Sequence, residues 1–381
     1  MEHISISIII PVFNVAPFVE ACLKSVMRQT YAGSMECIIV DDCGTDNSIE
    51  ITEELISEYN GPIRFQILHH DHNRGLSAAR NTGTLQATGD YLYYLDSDDE
   101  ITDDCIEILM AKVKEYPDVE MVQGNYCCHP ISQESVIIIN KLICPLVETN
   151  AKARKSYYQY GQMDITVWNK LIRRDFVMNN RLFCKEGILF EDQLWTFYLL
   201  KYLKKVAFEK KVTYHQKKRP FSITTGTDDK TRFFNLNIIY SDMLSHLTAG
   251  FEEEELEYIT MCIGGMFVRY GYKSPICKDV YRLLGNMNRI YGNRGNRLLL
   301  GITPILGQFK YGSLLWRIML QLEHPSRIPY TIRRLYNRRF SQKGRKSILT
   351  RPKLLRVHNS FSSKTFLKID FAQAFYRSMN L

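Results

Sequence analysis

Residues 91–100 read YLYYLDSDDE, an aromatic and leucine run that stops abruptly at Asp96, Ser97, Asp98, Asp99 and Glu100. Carboxylates packed this closely repel one another unless something positive receives them. An apolar run without alternation reads as a strand covered on both faces, here with its acids at the carboxyl end. Outward from it, ISISIIIP (4–11), MECIIVDD (35–42), IRFQILHH (63–70) and VEMVQGNY (119–126) have the same character. Helical spacing fills the intervals at 18–29, 47–59, 76–88 and about 103–115, the second helix with Asp46 or Asn47 as its cap. Strands alternating with helices predict a parallel α/β sheet. Such sheets bind ligands beyond the carboxyl ends of their strands, which is where Asn14, Asp41-Asp42 and Asp96–Asp99 fall.

Farther along, 127–165 reads as irregular or hairpin-like. VWNKLIRRDFV (167–177) and EDQLWTFYLLKYL (191–203) read as helical, and 204–218 as a strand. After about 228 the periodicity is mainly helical, which divides the chain into 1–227 and 228–381. Charge divides it in a similar place. Residues 1–230 hold 25 Lys and Arg against 32 Asp and Glu, whereas 231–381 hold 24 against 9. In the second part, LLLGITPILGQFKYGSLLWRIMLQL (298–322) is apolar but broken by Pro304, Lys310 and Arg317, and IRRLYNRRFSQKGRK (332–346) is densely basic. Apolar helices beside a basic face suit an anionic membrane surface. A basic solvated face is the plainer reading, and no nucleic-acid module accompanies the run.

The chain of 381 residues, 45% hydrophobic and 24% charged, has the composition of a globular protein. Its ten scattered cysteines show no CxxC and no Cys/His ligand spacing, so buried thiols in a reducing compartment are expected. Met1-Glu2-His3 leads straight into a strand, without a basic leader, and no stretch approaches the ~20 apolar residues of a membrane span. A cytoplasmic location is expected.

Asp96-x-Asp98 offers hard oxygen ligands at a strand end, which suits Mg2+ or Mn2+. A turn capping the next helix is the alternative, and Asp99 or Glu100 would do no more than start that helix. Asp41-Asp42 suits a nucleotide, a carboxylate accepting from a base N–H or a ribose hydroxyl. Neither GxGxxG nor GxxxxGK[ST] is present, which removes the main support for dinucleotide and P-loop readings.

Four segments then appear in order: IIIPVFN (8–14), IIVDDCGTDNS (38–48), NRGLSAARNTG (73–83) and YLDSDD (94–99). Over about residues 4–225 the chain closely resembles the family 2 glycosyltransferases of GT-A fold, whose usual wording is VDDGSTD, RG-x-x-x-ARN-x-G and LDSDD. Cys43 and Gly44 replace the usual Gly-Ser. The resemblance implies a Rossmann-like, mostly parallel domain followed by a mainly helical region. It implies an inverting hexosyl- or N-acetylhexosaminyl-transferase that takes a nucleotide-sugar, UDP-linked by expectation, and a Mn2+ or Mg2+ ion. The acceptor would be a glycan or lipid-linked saccharide of cell-surface polysaccharide synthesis, at the inner face of the membrane, with no nucleic acid involved.

By the same resemblance, Pro11 and Asn14 line the nucleotide pocket, Asp41 or Asp42 meets the base, and Arg80 lies near the diphosphate or pairs with the acids. Asp96 touches ribose or sugar, and Asp98 ligates the metal. An alcohol is a poor nucleophile at neutral pH, so a positioned carboxylate must take its proton. Glu191-Asp192 in GILFEDQLW (187–195) matches the family's Glu-Asp motif, with Asp192 resembling the base and Glu191 its neighbour. Acids favoured by a helix N-terminus are the plainer reading. Trp168 and Lys170 are expected near the acceptor, or else in the core and in solvent. In YHQKKRPFSIT (214–224), His215 or Arg219 is expected at the diphosphate or the metal. The rivals are a sugar nucleotidyltransferase, which would carry a Gly-rich basic N-terminal loop, and a non-catalytic basic adaptor binding membrane or nucleic acid.

Overall fold

The computed structural model describes residues 4–129, 137–139, 144–158, 162–219 and 222–246, with isolated positions 255, 258, 259 and 262. The residues up to Met243 form one compact unit. The basic stretches at 298–322 and 332–346 lie outside the described residues.

The first half follows the sequence pattern: β1 (Ile6–Val12), α1 (Ala16–Met27), β2 (Met35–Asp41), α2 (Ser48–Glu58), β3 (Arg64–His69), α3 (Leu76–Gln86) and β4 (Tyr91–Tyr94). These strands run parallel in the order β3-β2-β1-β4. All seven residues of β1 are buried, as are all four of β4, because both faces of the sheet are covered. Pro11 is tolerated in this central strand because it lies beyond the last β1–β4 pair, Ile9 with Tyr94, so no ladder donor is lost.

The second half comprises β5 (Glu100–Ile101), α4 (Cys105–Glu115), β6 (Met121–His129), β7 (Ile137–Ile139), β8 (Leu146–Val147), α5 (Asn150–Tyr158), β9 (Lys170–Arg173), α6 (Arg174–Asn179), α7 (Glu191–Tyr202), β10 (Val206–Lys217), α8 (Ile223–Gly226) and α9 (Asp229–His246). Three expectations are corrected. Residues 167–177 do not form one helix: β9 fills the slot between β4 and β6, antiparallel to both, before α6 begins. Ladder bonds to two buried neighbours override the helical spacing of that segment. Within 127–165, Asn150–Tyr158 is helical. Glu100 starts a short strand on β10, not a helix.

β6 and β10 run parallel, and their register slips by one residue between Val212, opposite Asn125, and Tyr214, opposite Tyr126. The bulged Thr213 is pinned by its hydroxyl, which donates to Asn169 Oδ1 at 2.9 Å. Gly124 makes room for this: a Cβ there would sit 2.6 Å from Asn169 Oδ1 and closer still to Thr213. Gly124→Ala is therefore expected to destabilise the fold by about 1–3 kcal/mol, seen as a lower denaturant midpoint; an unchanged midpoint would show the bulge to be soft.

Candidate active site

Parallel topology sets the carboxyl ends of β1, β2 and β4 along one edge of the sheet. β9 is antiparallel to β4 and β6 in turn to β9, so β6 and β10 end at that edge too. At the end of β1, Asn14 adopts a left-handed φ of 51° and its Oδ1 accepts from the Thr45 amide at 2.7 Å. This stitches the β1–α1 loop to the β2–α2 loop. Asp46 and Ser48 extend the seam, accepting from the amides of Ala16 (2.8 Å) and Val15 (2.9 Å) at the start of α1. Cys43 has φ 58°, the left-handed conformation that glycine adopts most easily, which accounts for the usual Gly there.

The neighbouring acids at the end of β2 are used differently. Asp42 is buried; its carboxylate accepts from the amides of Arg74 and Gly75, both at 2.8 Å, and lies 2.7 Å from His70 Nδ1. It holds the Asn73-Arg74-Gly75 loop that launches α3. Asp41 is more open, at 15% side-chain exposure, and binds the Cys43 amide and the exposed His69 ring. Of the pair, Asp41 is the less buried.

The acids after β4 also separate into roles. Asp99 is buried, accepting from the Tyr214 hydroxyl at 2.6 Å and the Lys217 amide at 2.7 Å. Asp98 Oδ2 accepts from Arg219 Nε at 2.5 Å. Asp96 Oδ1 accepts from Arg80 Nη2 at 2.6 Å. Burial, and then the crowd of like charges, pushes Asp98 and Asp99 above the usual carboxylate range. Carboxylate oxygens of Asp96, Asp98 and Asp99 lie within 4.8 Å of one another, a hard-oxygen set that fits Mg2+ or Mn2+.

Arg80, 3% exposed, links this group to the Glu-Asp segment 111 residues away. Its Nη1 donates to Glu191 Oε1 at 2.5 Å while Nη2 holds Asp96. Burial opposes its charge, yet Asp96 and Glu191 raise its pKa. Asp192 follows Glu191 in the first turn of α7, entered through Phe190 at a left-handed φ of 64°. Its Oδ1 accepts from the Gln193 amide at 2.8 Å, and Oδ2 makes no hydrogen bond among the described residues. Burial, then the charge of Glu191, pushes the Asp192 carboxyl up to about 7. That is the range of a working general base.

Trp168 and Lys170, expected near the acceptor or else in the core and in solvent, are both buried. Trp168 is buried, stacked on Tyr214 at 4.4 Å and edge-on to Tyr126 at 4.9 Å. Lys170 is wholly buried in β9, its ammonium bound by the carbonyl and hydroxyl of Thr166. His215 meets Cys127 and His129, whereas Asp98 meets Arg219. Sequence reasoning overlooked the Tyr214–Asp99 bond and the Cys127-His129-His215 cluster. The alternation Cys127-x-His129, just past the strand expected over 119–126, was the available signal for the latter.

The family model described as Glycosyl transferase family 2 matches residues 7–179. Glycosyltransferase GlyG of Streptococcus pneumoniae is 36% identical over 121 residues, covering 32% of this chain and 38% of that one. The uncharacterized glycosyltransferase YibD of Escherichia coli is 31% identical, covering 50% and 55%. Putative glycosyltransferase EpsH of Bacillus subtilis is 30% identical, covering 56% and 61%. The matched part thus spans under two thirds of each of these relatives. Among solved structures, S. aureus TarS 1-349 in complex with UDP-GlcNAc superposes with a TM-score of 0.59 at 18% identity, covering 81% of this chain and 87% of that one. At that identity the likeness concerns the fold.

Proposed function

We propose that the chain, whose residues 7–179 match the model of glycosyl transferase family 2, transfers a sugar, with inversion, from a nucleotide-sugar to a hydroxyl of a glycan or lipid-linked saccharide. The observation that carries this reading is the Arg80 bridge. One buried guanidinium sets Asp96, at the donor end, beside Glu191-Asp192, where a base must stand. A UDP-sugar, hexosyl or N-acetylhexosaminyl, is the donor we favour, because TarS of the same fold holds UDP-GlcNAc. Asn14 and Asp41 frame the nucleotide, and Asp98, with Asp96 and Asp99, would hold Mg2+ or Mn2+. Such an ion, when bound, neutralises charge on the departing diphosphate.

In the transfer, the acceptor oxygen forms a bond to the anomeric carbon as the bond to the diphosphate oxygen breaks on the opposite face. The hydroxyl proton passes to Asp192 Oδ2. Glu191, bonded to Arg80, orients the turn. Arg219, on Asp98, stands where the diphosphate charge develops and would bind it as it leaves. The +15 charge of residues 231–381 supports a seat on the anionic inner face of the membrane, where a lipid-linked acceptor would lie.

The test is UDP release from a panel of UDP-sugars with Mn2+ or Mg2+, comparing wild type with Asp98→Asn. Asp98→Asn is expected to lose metal-dependent release by about a hundredfold or more. Pyrophosphate release from a nucleoside triphosphate and a sugar phosphate would instead make the chain a nucleotidyltransferase. Failure to bind any donor would leave the adaptor reading.

A further inference from the structure

A second cluster of ligand atoms lies apart from the acids. Cys127 Sγ is 3.1 Å from His215 Nδ1 and 3.5 Å from His129 Nε2, and the two ring nitrogens are 3.1 Å apart. Cys127 and His129 are two residues apart on β6 and share a face of the sheet. The parallel register sets His215 opposite Cys127. That register exists only because of the slip at Thr213. Continued from the Val212–Asn125 pair without it, His215 would stand opposite Cys128 and project from the other face. The bulge thus assembles two sites at once. Tyr214 goes to one face and bonds Asp99, while His215 goes to the other and completes the sulfur–imidazole triangle. Bulges commonly re-aim side chains beside functional sites.

Two hydrogen bonds can give each of these atoms a partner, but they leave the third side of the triangle without a proton of its own. A ring nitrogen is either a donor or an acceptor, never both, so protons cannot close all three sides. A cation at the centre satisfies all three atoms together. A tetrahedral ion with a sulfur ligand at about 2.3 Å and nitrogen ligands at about 2.0–2.1 Å has ligand-to-ligand edges of roughly 3.3–3.6 Å. The observed separations lie within a few tenths of an ångström of those edges.

We propose that Cys127, His129 and His215 bind a zinc-class transition-metal ion, at a site distinct from the Asp96, Asp98 and Asp99 group. Thiolate and imidazole donors select Zn2+ over Mg2+, which the carboxylates prefer. Binding releases the Cys127 thiol proton as the metal–sulfur bond forms. Three protein ligands leave a fourth position for water. The ion ties the end of β6 to β10 just where the bulge delivers Tyr214 to Asp99.

The experiment uses the untagged full chain, stripped with a chelator and titrated with Co2+. A saturable thiolate-to-cobalt charge-transfer band in the near ultraviolet, with tetrahedral visible bands, is expected at about one equivalent. Zn2+ abolishes the bands and excess Mg2+ leaves them. Cys127→Ser loses the charge-transfer band, and His129→Gln weakens Co2+ binding by about tenfold or more. Zn2+ raises the melting temperature of the stripped wild type by about 5 °C and does not raise that of Cys127→Ser. Should a variant not fold, the wild-type titration decides alone. Absence of a saturable band overturns the proposal, and so does a band that persists in Cys127→Ser.

Discussion

Asp192→Asn is expected to abolish sugar transfer while making the folded protein more stable. Loss of a positioned general base costs about 10²–10⁴-fold in kcat, and asparagine cannot take the acceptor proton. The stability change follows from the same carboxyl. In the folded chain burial and Glu191 push it up to about 7, against an ordinary value of 3.8. The raised pKa means that the folded state keeps its proton through a window in which the unfolded state has lost it. Stability on this account is highest below pH 3.8 and falls as pH rises towards 7. Above that window the ionised, half-buried carboxylate opposes folding by about 2 kcal/mol, after discounting for its partial contact with solvent. Glu191, Arg80, Asp96 and the Cys184 thiol are the titratable groups around it, and only Arg80 favours its charge. The asparagine variant should therefore melt higher than wild type at pH 8 and match it near pH 4. For the wild type, kcat/KM should climb with pH to a plateau above 7, and at pH 6 stand at about a tenth of it. A variant as active as wild type, or equally stable at both pH values, would remove Asp192 from the role of base.

The parallel half of the sheet was legible because its strands are buried on both faces and so read as unbroken apolar runs. The helices between them kept their spacing. β9 was not legible: Lys170–Arg173 has the local character of a helix, and only the slot between β4 and β6 makes it a strand. The site divides along the same line. Asp96, Asp98, Glu191 and Asp192 announced themselves as acids at element ends. That Asp42 and Asp99 spend their oxygens on backbone and tyrosine could not be read from strings in which adjacent acids look alike. Asp42 lies just past the end of β2 and is held by the α3 loop, whereas Asp98 and Asp99 lie in the turn between β4 and β5 and are sorted by Arg219 and Tyr214. The slip at Thr213 was equally hidden, and it alone decides which face His215 occupies.

Arg80→Met should be the most destabilising single change at the site. The methionine fills similar volume, but it leaves Asp96 and Glu191 facing each other with no cation between them. Glu191 is 4% exposed and cannot reach water without displacing the start of α7. Breaking a buried ion pair on one side typically costs about 3–5 kcal/mol, mostly through the charge left behind. Arg80→Lys should recover only part of this. One ammonium cannot span the two carboxylates as the planar fork does, with Nη1 on Glu191 and Nη2 on Asp96. Arg80→Met/Glu191→Gln should be more stable than Arg80→Met, since the second change removes the orphaned charge that the first creates. The double-mutant cycle separates this bridge from mere packing. Denaturant midpoints of the four proteins supply the coupling energy, and donor affinity of the folded variants reports whether Asp96 stays in place. If the double variant is no more stable than Arg80→Met, the guanidinium is packing material, and the link between the donor acids and the Glu-Asp turn must be carried by something else.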